Sequence, residues 1–143
     1  MKINRTASAA WSGGLKDGKG SISTESGALA AYPYGFTSRF EGKKGTNPEE
    51  LLGAAHAGCF TMALSLILGE AGLTATQMDT SAKVTLEQVE GGFAITAVHL
   101  TLKAKIPGTD QAKFSELATK AKAGCPLSKV IKADITLDAT LVS

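Results

Sequence analysis

Strong net charge and low-complexity sequence are both absent from this chain, and each absence excludes a class of protein. The formal net charge is only +2, and no basic cluster with interleaved aromatic residues is present. A nucleic-acid partner is therefore not expected. The opening residues MKINRTASAAWSGG contain no apolar stretch of signal-peptide length, so a cytoplasmic location is predicted. A hydrophobic fraction of 43% is typical of a globular protein.

Cysteine is also scarce, with only Cys59 and Cys125 in the chain. Two cysteines in a cytosolic protein do not suggest a structural disulfide, and their separation is too wide for a C-x-x-C motif. They can still meet in the fold if their Cα atoms approach to about 4.4–6.8 Å. Such a pair suggests a redox couple in which one thiol attacks and the other resolves.

The pattern of alternating runs and turn residues predicts a single α+β domain over residues 1–143 with a largely antiparallel sheet. Inward-facing Ile135, Leu137 and Ala139 alternate with polar residues in the last strand. Strands are predicted at 6–11, 20–25, 36–42, 78–89, 93–106 and 133–142, and helices at 47–71, 110–122 and 126–132.

The long central helix has clear boundary signals and an unusually apolar sequence. Asn47 is a good N-cap, Pro48 suits the first turn, Glu50 completes a capping box and Gly72 is placed to end the helix. The apolar stretch is long enough for a membrane span, but its acidic flanks and the absence of nearby basic anchors argue against one. The alternative is a helix buried on nearly every side.

The length of this helix suggests a second subunit. It would run about 37 Å, which is longer than a small domain is wide. One sheet covers only one of its faces, and the opposite face carries small residues at spacing four, which allow another helix to approach closely. These pairs are Gly53 with Ala57 and Ala54 with Gly58. A homodimer is therefore predicted.

Several interpretations of the two thiols are open from local sequence alone. Cys59 in mid-helix is either a small buried hydrophobe or a nucleophile. His56, one turn earlier, could be its base or a metal ligand, but no further Cys/His cluster exists and a hydrogen-bonded core histidine is the preferred interpretation. Cys125 precedes Pro126 at the start of a short helix, where backbone N–H groups favour a thiolate. Cys125 is thus expected to be the more acidic of the two.

The segments GTNPEELLGAAHAGCFTMALSLILGEAGL and KAKAGCPLSKVIKA resemble the OsmC/Ohr family of thiol peroxidases. The resemblance extends through GKGSISTESGALAAYPYGFTSRFEGKKGTNPEEL, GFAITAV and KADITLDATL, and so covers essentially the whole chain. It implies an intertwined α+β homodimer that reduces organic hydroperoxides, an antioxidant activity of the stress response. It implies no cofactor, metal ion or membrane partner.

The resemblance also implies roles for individual residues. Cys59 would be the peroxidatic thiol and Cys125 the resolving one, and a lipoyl-type dithiol would be the reductant. Glu49 would orient a catalytic arginine, which is matched to Arg39 rather than to Arg5, the other arginine of the chain. An arginine fork can hold both a thiolate and peroxide oxygens.

The apolar surroundings of Cys59 are then interpreted as a pocket for the organic part of the peroxide. Phe36, Phe40, Leu52 and Met62 are predicted to line it, and such a pocket favours alkyl hydroperoxides over hydrogen peroxide.

Glu49 precedes Cys59 by ten residues, about 15 Å of straight helix. Either the helix bends near Gly53, or Arg39 and Glu49 come from the partner chain, which is the preferred prediction. Two other functions remain as alternatives. One is a cysteine hydrolase using Cys59 and His56, and the other is a non-enzymatic dimer that binds an apolar ligand.

Overall fold

The computed structural model describes residues 1–143 and shows an α+β protein with two three-stranded sheets and four helices. The chain divides into two compact units, Met1–Leu51 and Leu52–Ser143. Three of the four strand pairings are antiparallel, which confirms the predicted fold class.

The N-terminal unit contains an antiparallel sheet of order β1-β2-β3 and one short helix. Trp11 and Tyr34 pack edge to face across this sheet with ring centroids 5.6 Å apart. Gly20 lies between them, and a Cβ there would lie 2.6 Å from an atom of each ring. Only glycine fits this close approach. The elements are β1 (Ala7–Ser12), β2 (Lys19–Thr24), β3 (Tyr32–Tyr34) and α1 (Phe36–Phe40).

The stretch 36–42, predicted as a strand, is instead the helix α1, and the strand β3 precedes it. The Ser38 hydroxyl accepts a hydrogen bond from the Gly35 N–H and lies 2.8 Å from the Thr46 carbonyl, to which it donates. Such local side-chain bonds stabilise a helical turn where hydrophobic alternation alone suggests a strand. The prediction for this segment was wrong.

The remaining elements surround a second sheet of order β4-β5-β6, in which β5 pairs antiparallel with β4 and parallel with β6. Their predicted positions are confirmed to within a few residues. They are α2 (Pro48–Glu70), β4 (Gln77–Val89), β5 (Gly92–Lys105), α3 (Gln111–Gly124), α4 (Pro126–Val130) and β6 (Asp134–Val142).

The N-cap and the terminating glycine of α2 follow the prediction. The Asn47 side chain accepts a hydrogen bond from the Glu50 N–H at 2.8 Å, as an N-cap does. The predicted capping box is not formed, because the Glu50 carboxylate accepts from the Thr46 hydroxyl rather than from the Asn47 N–H. Gly72, at φ 74°, adopts the left-handed conformation that ends a helix.

The core of the C-terminal unit lies between the sheet and the helices α2 and α3. Phe60, Leu64 and Leu68 project from α2 at a spacing of four, so they share one face. They pack with the alternate buried residues of β5 and with Phe114 of α3. The predicted inward residues of β6 pack against this cluster. The β5 residues are Val98, Leu100, Leu102 and Ala104.

Only one face of α2 is buried within the chain, in agreement with the expectation that one sheet covers only one of its faces. Met62 and Leu66 are 77% and 66% exposed. Gly53 contacts β4 rather than lying on the outer face with Gly58. The helix is long and apolar enough to cross a membrane by length and composition. One face of the helix packs in the core of the C-terminal unit.

Candidate active site

The fold brings Cys59 and Cys125 together in the C-terminal unit. Cys59 lies in the middle of α2, and Cys125 lies between the end of α3 and the start of α4. Their Sγ atoms are 3.2 Å apart, and both are free thiols. Cys59 is partly accessible, whereas Cys125 is completely buried. The sequence prediction that the two cysteines meet is in agreement with this geometry.

Two hydrogen-bond donors of α4 lie close to the Cys125 sulfur. The N–H and the hydroxyl of Ser128 each lie 3.5 Å from its Sγ. Burial by itself would raise the pKa of the Cys125 thiol. The two Ser128 donors, with Cys59 and the Leu127 backbone, outweigh burial and lower this pKa below its ordinary value.

Cys59 has the opposite electrostatic balance. Burial raises the pKa of the Cys59 thiol, a hydrogen bond from the Leu127 backbone opposes this rise, and Cys125 adds to it. The outcome is a pKa above the ordinary value. As the pH rises, Cys125 ionises first and the Cys59 S–H donates to its thiolate. Cys125 is therefore the more acidic of the two thiols, as the sequence analysis expects.

His56 contacts Ser128 rather than Cys59, so the alternative of a nucleophile–base pair is not supported. Its Nε2 lies 2.8 Å from the Ser128 Oγ, and its Nδ1 has no hydrogen-bond partner although the residue is fully buried. Burial lowers the pKa of His56 and favours the neutral ring. No group of three or more potential ligand side chains is close enough to hold a metal ion.

Ser128 contacts both Cys125 and His56, and the sequence analysis missed it. It stands three positions after Cys125, at the N3 position of the helix that Cys125 caps. A side chain at N3 is well placed to reach back to the capping residue. The spacing C-P-L-S was therefore the signal that could have found it.

Arg39 and Glu49 form an ion pair within the N-terminal unit. Arg39 Nη2 lies 2.7 Å from Glu49 Oε1, and Arg39 Nε lies 3.1 and 3.2 Å from the two carboxylate oxygens. The Glu49 side chain is only 10% exposed, so this ion pair is partly shielded from solvent. The other candidate, Arg5, is 77% exposed and lies 3.9 Å from Glu25.

The predicted pocket residues lie in different surroundings. The Phe36 and Phe40 rings lie 5.0 Å apart and, together with Arg39, contribute to a cavity of about 220 Å³ in the N-terminal unit. Leu52 is partly buried, and Met62 lies on the exposed face of α2. The sequence analysis missed the remaining lining residues of this aromatic cavity, which are Trp11, Leu15, Tyr34 and Gly35.

Two adjacent thiols of unequal acidity on an α+β fold define a thiol-redox class of protein. The comparison with known families agrees with this class. Residues 41–140 match the model of a family described as OsmC-like protein, and the chain belongs to this family.

Two curated relatives show how far the similarity extends. The chain is 58% identical over 143 residues to a protein of Escherichia coli strain K12 called Peroxiredoxin OsmC, with all of both chains covered. It is 33% identical over 101 residues to an organic hydroperoxide resistance protein of Xanthomonas axonopodis pv. citri. That match covers 70% of this chain and 69% of the relative.

A solved structure shows the same fold. The organic hydroperoxide resistance protein OhrB of Bacillus subtilis superposes with a TM-score of 0.67 at 28% identity. The superposition covers 96% of this chain and 98% of the OhrB chain.

Proposed function

We propose that this chain is a thiol-dependent peroxidase that reduces organic hydroperoxides to alcohols. The observation that carries the proposal is the 3.2 Å separation of the Cys59 and Cys125 sulfur atoms. The relatives called peroxiredoxin and organic hydroperoxide resistance protein support the same activity.

The bonds that form and break involve the peroxide, the two thiols and an external reductant. The Cys59 thiolate attacks one peroxide oxygen, the O–O bond breaks, and the alcohol leaves after protonation. Cys59 is then a sulfenic acid. Cys125 attacks this sulfur to form the disulfide with release of water, and an external dithiol reopens the disulfide by exchange.

Cys59 is assigned the peroxidatic role because a peroxide can reach it, whereas Cys125 is completely buried. A raised pKa opposes this role, since the thiolate is the nucleophile. A cation beside the sulfur would offset the cost of burial. Arg39, held by Glu49, supplies it from the partner subunit. Glu49 and Cys59 lie ten residues apart on the continuous helix α2, which supports the partner subunit as the source of this cation.

The organic part of the peroxide occupies a pocket lined by Phe36, Phe40, Leu52 and Met62. The aromatic cavity beside Arg39 supports the participation of the two phenylalanines. An apolar pocket stabilises alkyl or lipid-like peroxides by about 25 cal/mol per Å² of buried apolar surface, which hydrogen peroxide does not have.

The protein acts as a homodimer in the cytoplasm and as one domain over residues 1–143. The exposed Met62 and Leu66, and the open surface at Gly58, support a second copy of α2 as the partner. The reductant is a lipoyl-type dithiol, in keeping with a mechanism that ends in a disulfide.

Peroxide consumption tests the activity. Wild-type protein with an organic hydroperoxide and reduced lipoamide should turn over, and peptide mapping without the reductant should find one Cys59–Cys125 disulfide per chain. The proposed function is wrong if the organic peroxide leaves both thiols free. Omission of reduced lipoamide, or its replacement by a monothiol, serves as the control for the reductant.

A further inference from the structure

A chain of polar contacts runs from a buried histidine to the two sulfur atoms. His56 Nε2 lies 2.8 Å from Ser128 Oγ, and Ser128 Oγ lies 3.5 Å from Cys125 Sγ. The contact between the sulfurs completes the chain at Cys59. His56 and Cys59 are both on α2, so the chain leaves this helix, passes through α4 and returns. The peroxidase mechanism gives His56 no role of its own.

The direction of these hydrogen bonds follows from the unpartnered Nδ1 of His56. A neutral imidazole carries one N–H, and the other nitrogen accepts. A buried N–H without a partner is rarer in proteins than an under-used acceptor. We therefore place the proton on Nε2, which donates to Ser128 Oγ. The Ser128 hydroxyl hydrogen is then free to donate to Cys125 Sγ.

We propose that His56 is a positioning residue that holds the Ser128 hydroxyl in the orientation that stabilises Cys125 as a thiolate. This proposal rests on the proposed peroxidase function. With the opposite tautomer, Ser128 would donate to Nε2 and Cys125 would lose a donor. The lowered pKa of His56, caused by burial, keeps the ring neutral, so His56 acts through hydrogen-bond direction rather than through charge. Besides Cys125 itself, the titratable groups in this chain of contacts are His56 and Cys59, both on α2.

A thiolate at Cys125 is needed at two steps. In disulfide formation, its electron pair attacks the sulfur of the Cys59 sulfenic acid, the S–S bond forms, and the S–O bond breaks. The oxygen leaves as water after taking a proton. Cys59 sulfur is reduced in this step, and Cys125 sulfur is oxidised.

In the reductive step, one thiolate of the dithiol attacks Cys59 Sγ, and Cys125 leaves with the electron pair of the broken S–S bond. The second thiol of the reductant then displaces Cys59 and closes the reductant disulfide. Attack at Cys59 is favoured because Cys125 is buried, and because a thiol of lower pKa leaves faster. The donors on Cys125 therefore direct which sulfur the reductant attacks.

Thiolate absorbance in the ultraviolet tests the proposal without any peroxide. In a Cys59→Ser background, the titration midpoint of Cys125 should rise by about half to one pH unit in Ser128→Ala and in His56→Leu. His56→Gln should restore the wild-type midpoint, because its amide nitrogen lies near the Nε2 position. His56→Asn places its donor at the Nδ1 position and should not restore the midpoint. This variant also provides the test if His56→Leu folds poorly.

The double variant tests the connection through Ser128. Adding His56→Asn to Ser128→Ala should shift the midpoint no further, because the hydroxyl that His56 orients is already absent. His99→Gln, a change at the other histidine, is the matched control and should leave the midpoint unchanged. Unchanged midpoints in both His56→Leu and His56→Asn, or additive shifts in the double variant, would overturn the proposal.

The two proposals fail in different ways. If the His56 variants leave the Cys125 titration midpoint unchanged while the wild-type protein consumes organic peroxide, the His56 role alone is rejected. A wild-type protein that consumes no organic peroxide, yet shows the His56-dependent midpoint, would reject the proposed activity alone.

Discussion

At the scale of single residues, the two sulfur atoms differ in access as well as in acidity. Cys59 is partly accessible and Cys125 is buried, so removal of each thiol should stop the cycle at a different step. We expect Cys59→Ser to abolish peroxide reduction. Cys125→Ser should complete one turnover and accumulate a Cys59 sulfenic acid, which is open to overoxidation. Mass spectrometry after one equivalent of peroxide distinguishes the two. A sulfenic acid in Cys59→Ser but not in Cys125→Ser would mean reversed roles.

The lowered pKa of Cys125 predicts how disulfide formation depends on pH. A thiol whose pKa lies below its ordinary value is still a thiolate at a pH where an ordinary cysteine is protonated. Disulfide formation should therefore persist below the ordinary thiol pKa and decline as the pH falls through the Cys125 pKa. Stopped-flow measurement after a peroxide pulse gives the profile. A decline already complete at the ordinary pKa would contradict the prediction.

The Arg39–Glu49 pair predicts a second residue-scale effect. Arg39→Lys keeps the charge but loses the planar fork that binds both oxygens of Glu49. A charge-assisted hydrogen bond contributes about 1.5–3 kcal/mol, so turnover should fall about tenfold or more. The Cys59 pKa should rise less in Arg39→Lys than in Arg39→Met, as alkylation at several pH values will show.

Arg5→Lys is the control for Arg39, because Arg5 is largely exposed and close to the terminus. It should leave turnover almost unchanged. Wild-type turnover in Arg39→Met would mean that the catalytic arginine has been assigned to the wrong residue, and Arg5 would become the candidate.

At the scale of elements, α2 has two faces with different energetic roles. Leu64 is completely buried against the sheet, whereas Leu66 is 66% exposed. Leu64→Ala should lower the free energy of unfolding by about 2–5 kcal/mol through lost burial and a residual cavity. Leu66→Ala deletes the same atoms from the outer face and should cost less within one chain. Chemical denaturation at several protein concentrations checks both, and equal, concentration-independent losses would refute the distinction.

The helical conformation of α1 determines which groups surround Arg39. Arg39 was predicted in a strand, where alternate side chains point to opposite faces. In α1 its guanidinium lies 5.4 Å from the neighbouring Phe40 ring and also reaches Glu49. The aromatic side chains and the cation therefore stand together because the segment is helical.

At the scale of the whole molecule, the outer face of α2 is the basis of the predicted dimer. A Cβ built on Gly58 meets no atom within 4 Å in its own chain. Gly58→Leu should therefore be tolerated by a single chain but overfill a close contact between two copies of α2. We expect it to shift the protein toward monomer in sedimentation and to reduce activity. Gly58→Ala, a smaller change, is the control. A wild-type protein that sediments as a stable, active monomer at micromolar concentration would refute the dimer.

The sequence by itself determined the elements with strong local signals and most of the chemistry. Caps and turn residues located α2, α3 and α4, and alternation located β4, β5 and β6, because these signals depend on near neighbours in the chain. Tertiary structure decided what depends on distant residues. Only packing shows that Cys59 and Cys125 meet, that Ser128 joins His56 to Cys125, and that Gly53 faces β4. Their partners come from other elements, and no periodicity within one segment encodes such contacts.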